Sequence, residues 1–213
     1  MKIKGALIIL FILSASASFS VSKSFKSADM IRAGEPVIGK TIPFRTFDAF
    51  YNGKITTINL DDYKGKWIIL FFYPADFTFV CPTELKEMSD YYNDFKEGGA
   101  EIFSISTDSA YVHKAWMKDT ELLKNIKFPM LSDRSGNFSN VMQVYDRNSG
   151  TANRASFIID PDGIIVAAEY SSDSIGRNAG ELLRKFDAAV AVRKGGGLCP
   201  AGWKEGSELI KGE

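Results

Sequence analysis

The sequence predicts a mixed α/β domain in which a central sheet carries helices on both sides. Three features carry that prediction. "KWIILFFY" (66–73) is an unbroken apolar run rich in Ile and Phe, which suits a strand buried on both faces. Apolar residues then recur at helical spacing, at Leu85, Met88, Tyr92 and Phe95. Two later runs, "ASFIID" and "GIIVAAEY", flank Pro161-Asp162-Gly163, a hairpin signal.

Taken in order, the chain opens with "MKIKGALIILFILSASASFS". Lys2 and Lys4 precede an apolar run from Gly5 to Leu13 and a small-residue patch at Ala15-Ser16-Ala17. This layout predicts a secretory signal peptide over 1–17 and an exported mature protein. The run is well short of the roughly 20 residues a spanning helix needs. The alternatives are a retained short anchor or a cytoplasmic protein. Export would place the cysteines where disulfides persist. Residues 18–37 read as an N-terminal arm, 38–194 as the domain and 195–213 as a C-terminal arm.

Within the domain, the strand at 66–73 leads into the helix that Pro82 and Glu84 mark at its first turn. "EIFSIST" (101–107) is a second strand, and Asp108 is placed to cap a helix carrying Tyr111, Ala115 and Trp116. After the hairpin, Asn178 and Glu181 form a capping-box-like pair ahead of Leu182, Leu183, Phe186 and Val190. Gly195-Gly196-Gly197 is expected to loosen the chain before "LCPAGWKEG". Strand, helix, strand, helix, hairpin, helix suits a thioredoxin-like arrangement.

A chain of 213 residues is long enough for one substantial core. Its 26 basic residues balance 26 acidic ones, so nothing favours nucleic acid or an anionic membrane as a partner. One histidine, His113, and two cysteines, Cys81 and Cys199, are too few for a Cys/His zinc site. No CxxC pair exists, which argues against dithiol exchange of the thioredoxin type.

Cys81 sits where a strand-like run meets a helix start, and a helix N-terminus favours the thiolate over the thiol. Thr78, one turn earlier, can place a hydroxyl near the sulfur, and Pro74 can stiffen the approach loop. Read alone, the cysteine could equally be a buried small hydrophobe. The surrounding motifs change that balance. Pro74-x-x-x-Thr78-x-x-Cys81 within "FYPADFTFVCPTEL" resembles the active-site motif of the peroxiredoxins. "GTANRASFIIDPDG" resembles their segment supplying an active-site arginine, here Arg154, and "LCPAGW" resembles the second-cysteine motif of the typical two-cysteine class. "HKAWMKD" leans toward the alkyl hydroperoxide reductase C group.

The resemblance implies a thiol peroxidase acting on hydrogen peroxide and organic hydroperoxides, with no metal or other cofactor. It implies Cys81 as the peroxidatic cysteine, Arg154, Thr78 and Pro74 as its active-site partners, Glu84 as the residue orienting Arg154, and Cys199 as the resolving cysteine. By the same resemblance, Cys199 bonds the Cys81 of a second subunit, an external thiol reductant restores the pair, and dimers build a decamer. His113 is expected to be a surface or helix-packing residue, and Trp203 to pack near Cys199. Phe71, Phe72, Phe77 and Phe79 are expected to be mostly core, with part facing a subunit interface. The competing non-enzyme reading is a permanent Cys81–Cys199 bridge closing a loop of about 118 residues, worth roughly 5 kcal/mol. It leaves Pro74, Thr78 and Arg154 unaccounted for.

Overall fold

The computed structural model describes residues 30–43 and 45–212. The expected signal segment and the first part of the expected N-terminal arm lie outside the described residues. From Met30 onward the arm is packed: Val37 is buried in the core, and the Gln143 amide donates to the carbonyls of Arg32 and Glu35.

The described chain contains β1 (Thr46–Tyr51), β2 (Lys54–Asn59), β3 (Trp67–Phe72), α1 (Cys81–Asp90), α2 (Tyr92–Glu97), β4 (Ala100–Ser106) and α3 (Ala110–Asp119). It continues with β5 (Met130–Ser132), α4 (Asn137–Val141), β6 (Tyr145–Asp146), β7 (Thr151–Ala152), β8 (Arg154–Ile159), β9 (Ile165–Ser171) and α5 (Ala179–Gly195). Seven strands form one mixed sheet in the order β2-β1-β5-β4-β3-β8-β9. The β4-β3-β8-β9 part, parallel across β3/β4 and antiparallel across β3/β8 and β8/β9, gives the expected thioredoxin-like core.

All six residues of β3 are buried, because the strand lies between β4 and β8 and both sheet faces are covered. Its side chains alternate between two cores. Ile68, Leu70 and Phe72 pack with Phe103, Phe138 and Phe157 on one face. Trp67, Ile69 and Phe71 pack with Leu85, Phe95 and Phe186 on the other. Buried residues of α1, α2, α3 and α5 join the second core, while α4 contributes Phe138 to the first. Truncating a buried aromatic such as Phe186 to Ala typically costs about 3–5 kcal/mol.

Helix boundaries depart from the periodic pattern in two places. The expected single helix after Cys81 is two, α1 and α2, because Tyr91 leaves helical geometry between them. The cap of α3 is Ser109, whose hydroxyl accepts from the Val112 N–H, and not Asp108. The Asp108 carboxylate instead accepts from the Asp76 N–H and the Ser106 hydroxyl, so tertiary bonds take it away from the helix end. Asn178 does cap α5 through the Glu181 N–H, but the Glu181 carboxylate turns to Arg184 and leaves the box half closed.

Candidate active site

Cys81 is the first residue of α1, and its side chain is fully buried. The helix begins there because Val80 supplies the cap position and Pro82 cannot continue a hydrogen-bonded ladder inward from its own nitrogen. The preceding loop, 74–80, descends from the buried end of β3 past a half-buried Pro74. Thr78 lies on this loop and donates its hydroxyl proton to the Ala75 carbonyl at 2.8 Å. That leaves the Thr78 oxygen free to accept a further hydrogen bond.

Arg154, the first residue of β8, reaches the sulfur. Its Nη1 lies 3.2 Å from Cys81 Sγ and 2.7 Å from a Glu84 carboxylate oxygen. The other edge of the guanidinium is fixed by the Asp173 carbonyl, which accepts from Nε at 3.0 Å and Nη2 at 2.9 Å. Burial works to lower the Arg154 pKa, but its bonds and charge attraction to Cys81 and Glu84 prevail and raise it. Glu84 sits one turn into α1, on the same helix face as Cys81, and therefore meets Arg154 where the sequence reading placed it.

Arg177 is the residue that sequence reasoning missed. Its backbone N–H and Nε donate to one Glu84 oxygen at 2.8 and 2.9 Å, and its Nη2 donates to the other at 3.1 Å. Nη1 is held by the Ala155 carbonyl and the Ser156 hydroxyl, and the guanidinium carbon lies 3.5 Å from the centre of the Phe71 ring. Burial pushes the Glu84 carboxyl up, but the bonds and charge of Arg177, joined by Arg154, outweigh it and hold Glu84 below its ordinary range. The same burial lowers Arg177, with Glu84 opposing. Two guanidiniums and one carboxylate carry a net charge of +1. That net positive charge is presented to the Cys81 sulfur through Arg154. The loop bearing Asp173 and Arg177 passes so close to α1 that a Cβ on Gly176 would lie 3.3 Å from Val80.

Cys199 lies apart from this cluster, on the C-terminal arm. Both cysteines are free thiols. Cys199 is half-buried, in the wall of an apolar groove with Trp67, Val166, Ala189 and Val192. Its one described contact is a long 3.7 Å approach to the Pro200 carbonyl. Trp203 packs nearby as expected, with its indole N–H on the Ser207 carbonyl and its own carbonyl accepting from Arg184. The glycines before Cys199 shape a tight turn. Gly196 ends α5 in the left-handed region at φ 66°, and a Cβ on Gly197 would fall 2.8 Å from Leu209 and 2.9 Å from the Ile210 carbonyl. They let the arm fold back, where Leu198 and Ile210 exchange backbone hydrogen bonds.

His113 is wholly buried rather than on the surface, packed in α3 against Tyr73 and Asp76. Of the aromatic cluster, Phe71 and Phe72 are core, while Phe77 is about half exposed and Phe79 almost entirely so.

The model of the AhpC/TSA family matches residues 38–168. Alkyl hydroperoxide reductase C of Bacillus subtilis is 44% identical over 176 residues, covering 82% of this chain and 94% of that protein. The Amphibacillus xylanus protein of the same name is 46% identical over 171 residues, covering 79% and 90%. Among solved structures, Enterococcus faecalis AhpC superposes with a TM-score of 0.75 at 45% identity, covering 78% of this chain and all of that one. The reduced 2-Cys peroxiredoxin of Plasmodium vivax gives 0.78 at 35% identity, covering 82% and 93%. The chain belongs to the AhpC/TSA family, and is thus a peroxiredoxin, an enzyme of thiol-dependent peroxide reduction.

Proposed function

We propose that Cys81 is the peroxidatic cysteine of an enzyme that reduces hydrogen peroxide and organic hydroperoxides. The observation that carries this reading is the 3.2 Å contact from Arg154 Nη1 to the buried Cys81 sulfur, made by a guanidinium already anchored on Glu84 and Asp173. The thiolate attacks the terminal peroxide oxygen. An S–O bond forms as the O–O bond breaks, and the departing hydroxide or alkoxide takes up a proton. Arg154 stabilises the charge that develops on the leaving oxygen, and needs no reorganisation to do so because its other donors are already fixed. Thr78 accepts a hydrogen bond from the peroxide proton and helps align the O–O bond. Pro74 shapes the loop, and Glu84 orients Arg154.

Cys199 then attacks the Cys81 sulfenic sulfur. An S–S bond forms and the hydroxyl leaves as water. A thiol reductant, thioredoxin-like or a flavoprotein reductase, restores both thiols by exchange. Cys81 is fully buried at the head of α1, so this step needs the first turn of that helix to open. Resemblance to the two-cysteine class supports a disulfide between subunits of a homodimer, and a decamer of such dimers. The exposed Phe77 and Phe79 rings beside the active-site loop suit a subunit interface. Residues 195–213 serve as the resolving arm. The N-terminal sequence supports removal of residues 1–17 and export, which intact-mass measurement on protein from the native host tests. Among the described residues, no helix is long and apolar enough to cross a membrane.

The deciding experiment is peroxide consumption by the mature protein with several thiol donors, run beside a non-reducing gel. Rapid consumption and a reducible dimer band are expected. A protein that consumes no peroxide with any donor would refute the reading.

A further inference from the structure

Behind the loop that carries Thr78 lies a buried polar group that the peroxide chemistry leaves unused. Tyr73, Asp76 and His113 are all buried. The Tyr73 hydroxyl donates to one Asp76 oxygen at 2.8 Å, and His113 Nδ1 lies 2.7 Å from the other. His113 Nε2 lies 3.2 Å from the Leu131 carbonyl on β5. The two imidazole nitrogens thus face the Asp76 carboxyl on one side and the Leu131 carbonyl on the other. Burial raises Asp76, with the His113 bond opposing.

Asp76 is tied from its backbone side as well. Its N–H donates to Asp108 at 2.8 Å, and Asp108 also accepts from the Ser106 hydroxyl at 2.9 Å. The residue after it, Phe77, has φ 56°, a left-handed conformation that a bulky residue holds only when its surroundings over-determine it. Its ring rests on Trp116 at 6.3 Å between centroids, and Tyr73 lies 6.0 Å from the same indole. Thr78 follows directly. On the side away from Cys81, the strained step into Thr78 is therefore tied down through Asp76, whose side-chain partners are Tyr73, just past the end of β3, and His113 on α3.

We propose that His113 is a positioning residue for the peroxide reaction: through its bond to Asp76 it holds the 74–80 loop in the conformation that presents Thr78 beside Cys81. The role rests on the function proposed above. His113 acts through Asp76. The described hydrogen-bond partners of its imidazole are Asp76, Tyr73 and Leu131, none of which is among the residues proposed to meet peroxide.

Two substitutions separate this role from simple packing. Asn at 113 places an amide N–H near the position of Nδ1 and can keep the bond to Asp76. Gln places one near Nε2, keeping the bond to Leu131 and losing the loop. The rate constant for sulfenic acid formation is measured by stopped flow in a Cys199→Ser background, with circular dichroism to confirm folding. His113→Gln is expected to slow the reaction at least tenfold, and His113→Asn to stay within about threefold of the parent. Equal rates in both variants and parent, or equal slowing in both, would overturn the positioning role. If His113→Gln does not fold, Asp76→Ala cuts the same tie with the imidazole intact, and parent-like kinetics there would overturn it instead. A parent protein inert to peroxide would refute the underlying function and this role with it, a result that no change confined to the variants can mimic.

Discussion

The two cysteines occupy opposite kinds of surroundings. Cys81 is fully buried at a helix head, under a guanidinium that three other hydrogen bonds, one of them an ion pair with Glu84, keep in place. Cys199 is half-buried on a looped-back arm and has one weak contact. The contrast matches two different chemical demands. Charge development on a leaving oxygen is best met by donors that do not have to move. Capture of the resulting sulfenic acid requires a second sulfur that can travel.

The largest expected effect breaks the contrast outright. Cys81→Ser should abolish peroxide reduction, while Cys199→Ser should still allow one round of oxidation to a sulfenic acid, trapped by a dimedone-type reagent and read by mass spectrometry. Turnover by the Cys81→Ser protein at the parent rate would place the chemistry elsewhere. Next in size, Arg154→Ala should slow reaction with peroxide by about 10²–10³-fold, the usual cost of losing one fixed oxyanion donor. Capture of a preformed sulfenic acid by Cys199 should change far less. Stopped-flow kinetics resolve the two phases.

Glu84→Gln tests the static side through stability. Removing that charge leaves Arg154 and Arg177 as buried neighbours without the carboxylate they share, at a cost of about 3–5 kcal/mol. The pH dependence follows from the sign of the shift. The Glu84 carboxyl is held below its ordinary value of 4.5, so its stabilisation is present above 4.5 and is lost as pH falls through the folded value. Acid unfolding monitored by circular dichroism should therefore flatten in that range for Glu84→Gln.

On the Cys199 side, the Gly-Gly-Leu-Gly loop that marks peroxiredoxins prone to overoxidation does not occur between Cys81 and Cys199. Cys81 should therefore resist sulfinic acid formation at peroxide levels that silence sensitive enzymes. Mass spectrometry after turnover with excess reductant decides this; extensive sulfinic acid at low peroxide would contradict it. The smallest effect concerns arm docking. Burial, then Glu205 on the arm and Asp94 on α2, push Asp187 up to about 6. A carboxyl raised from 3.8 favours the folded arm at low pH and opposes it increasingly as pH rises to about 6. Asp187→Asn should slow hydrogen exchange in 198–212 modestly at pH 7 and change it little at pH 4.

Much of this was legible in the chain. The buried β3, the β8–β9 hairpin and the Asn178 cap each rest on local signals, and local signals survive folding. The pairing of Glu84 with Arg154 came from the family resemblance, and helical spacing, which puts Glu84 on the Cys81 face, is consistent with it. Arg177 could not be read the same way: it meets Glu84 across 93 positions and has no spacing rule of its own. Only its place before the Asn178 cap, in a stretch bound to turn somewhere, hinted at a role. The expected Asp108 cap failed for a reason of the same kind, Ser109 taking its place. Both are good caps, and contacts from a distant loop chose between them.

The guanidinium of Arg177, stacked on Phe71 and clasping Glu84 from behind, has a consequence for how this site can change over generations. No member of the trio Glu84, Arg154 and Arg177 can drift alone without stranding a charge, so neutral substitution there is blocked unless two positions alter together. Transplanting only Pro74, Thr78, Cys81 and Arg154 onto another scaffold would carry the motif but leave its ballast behind.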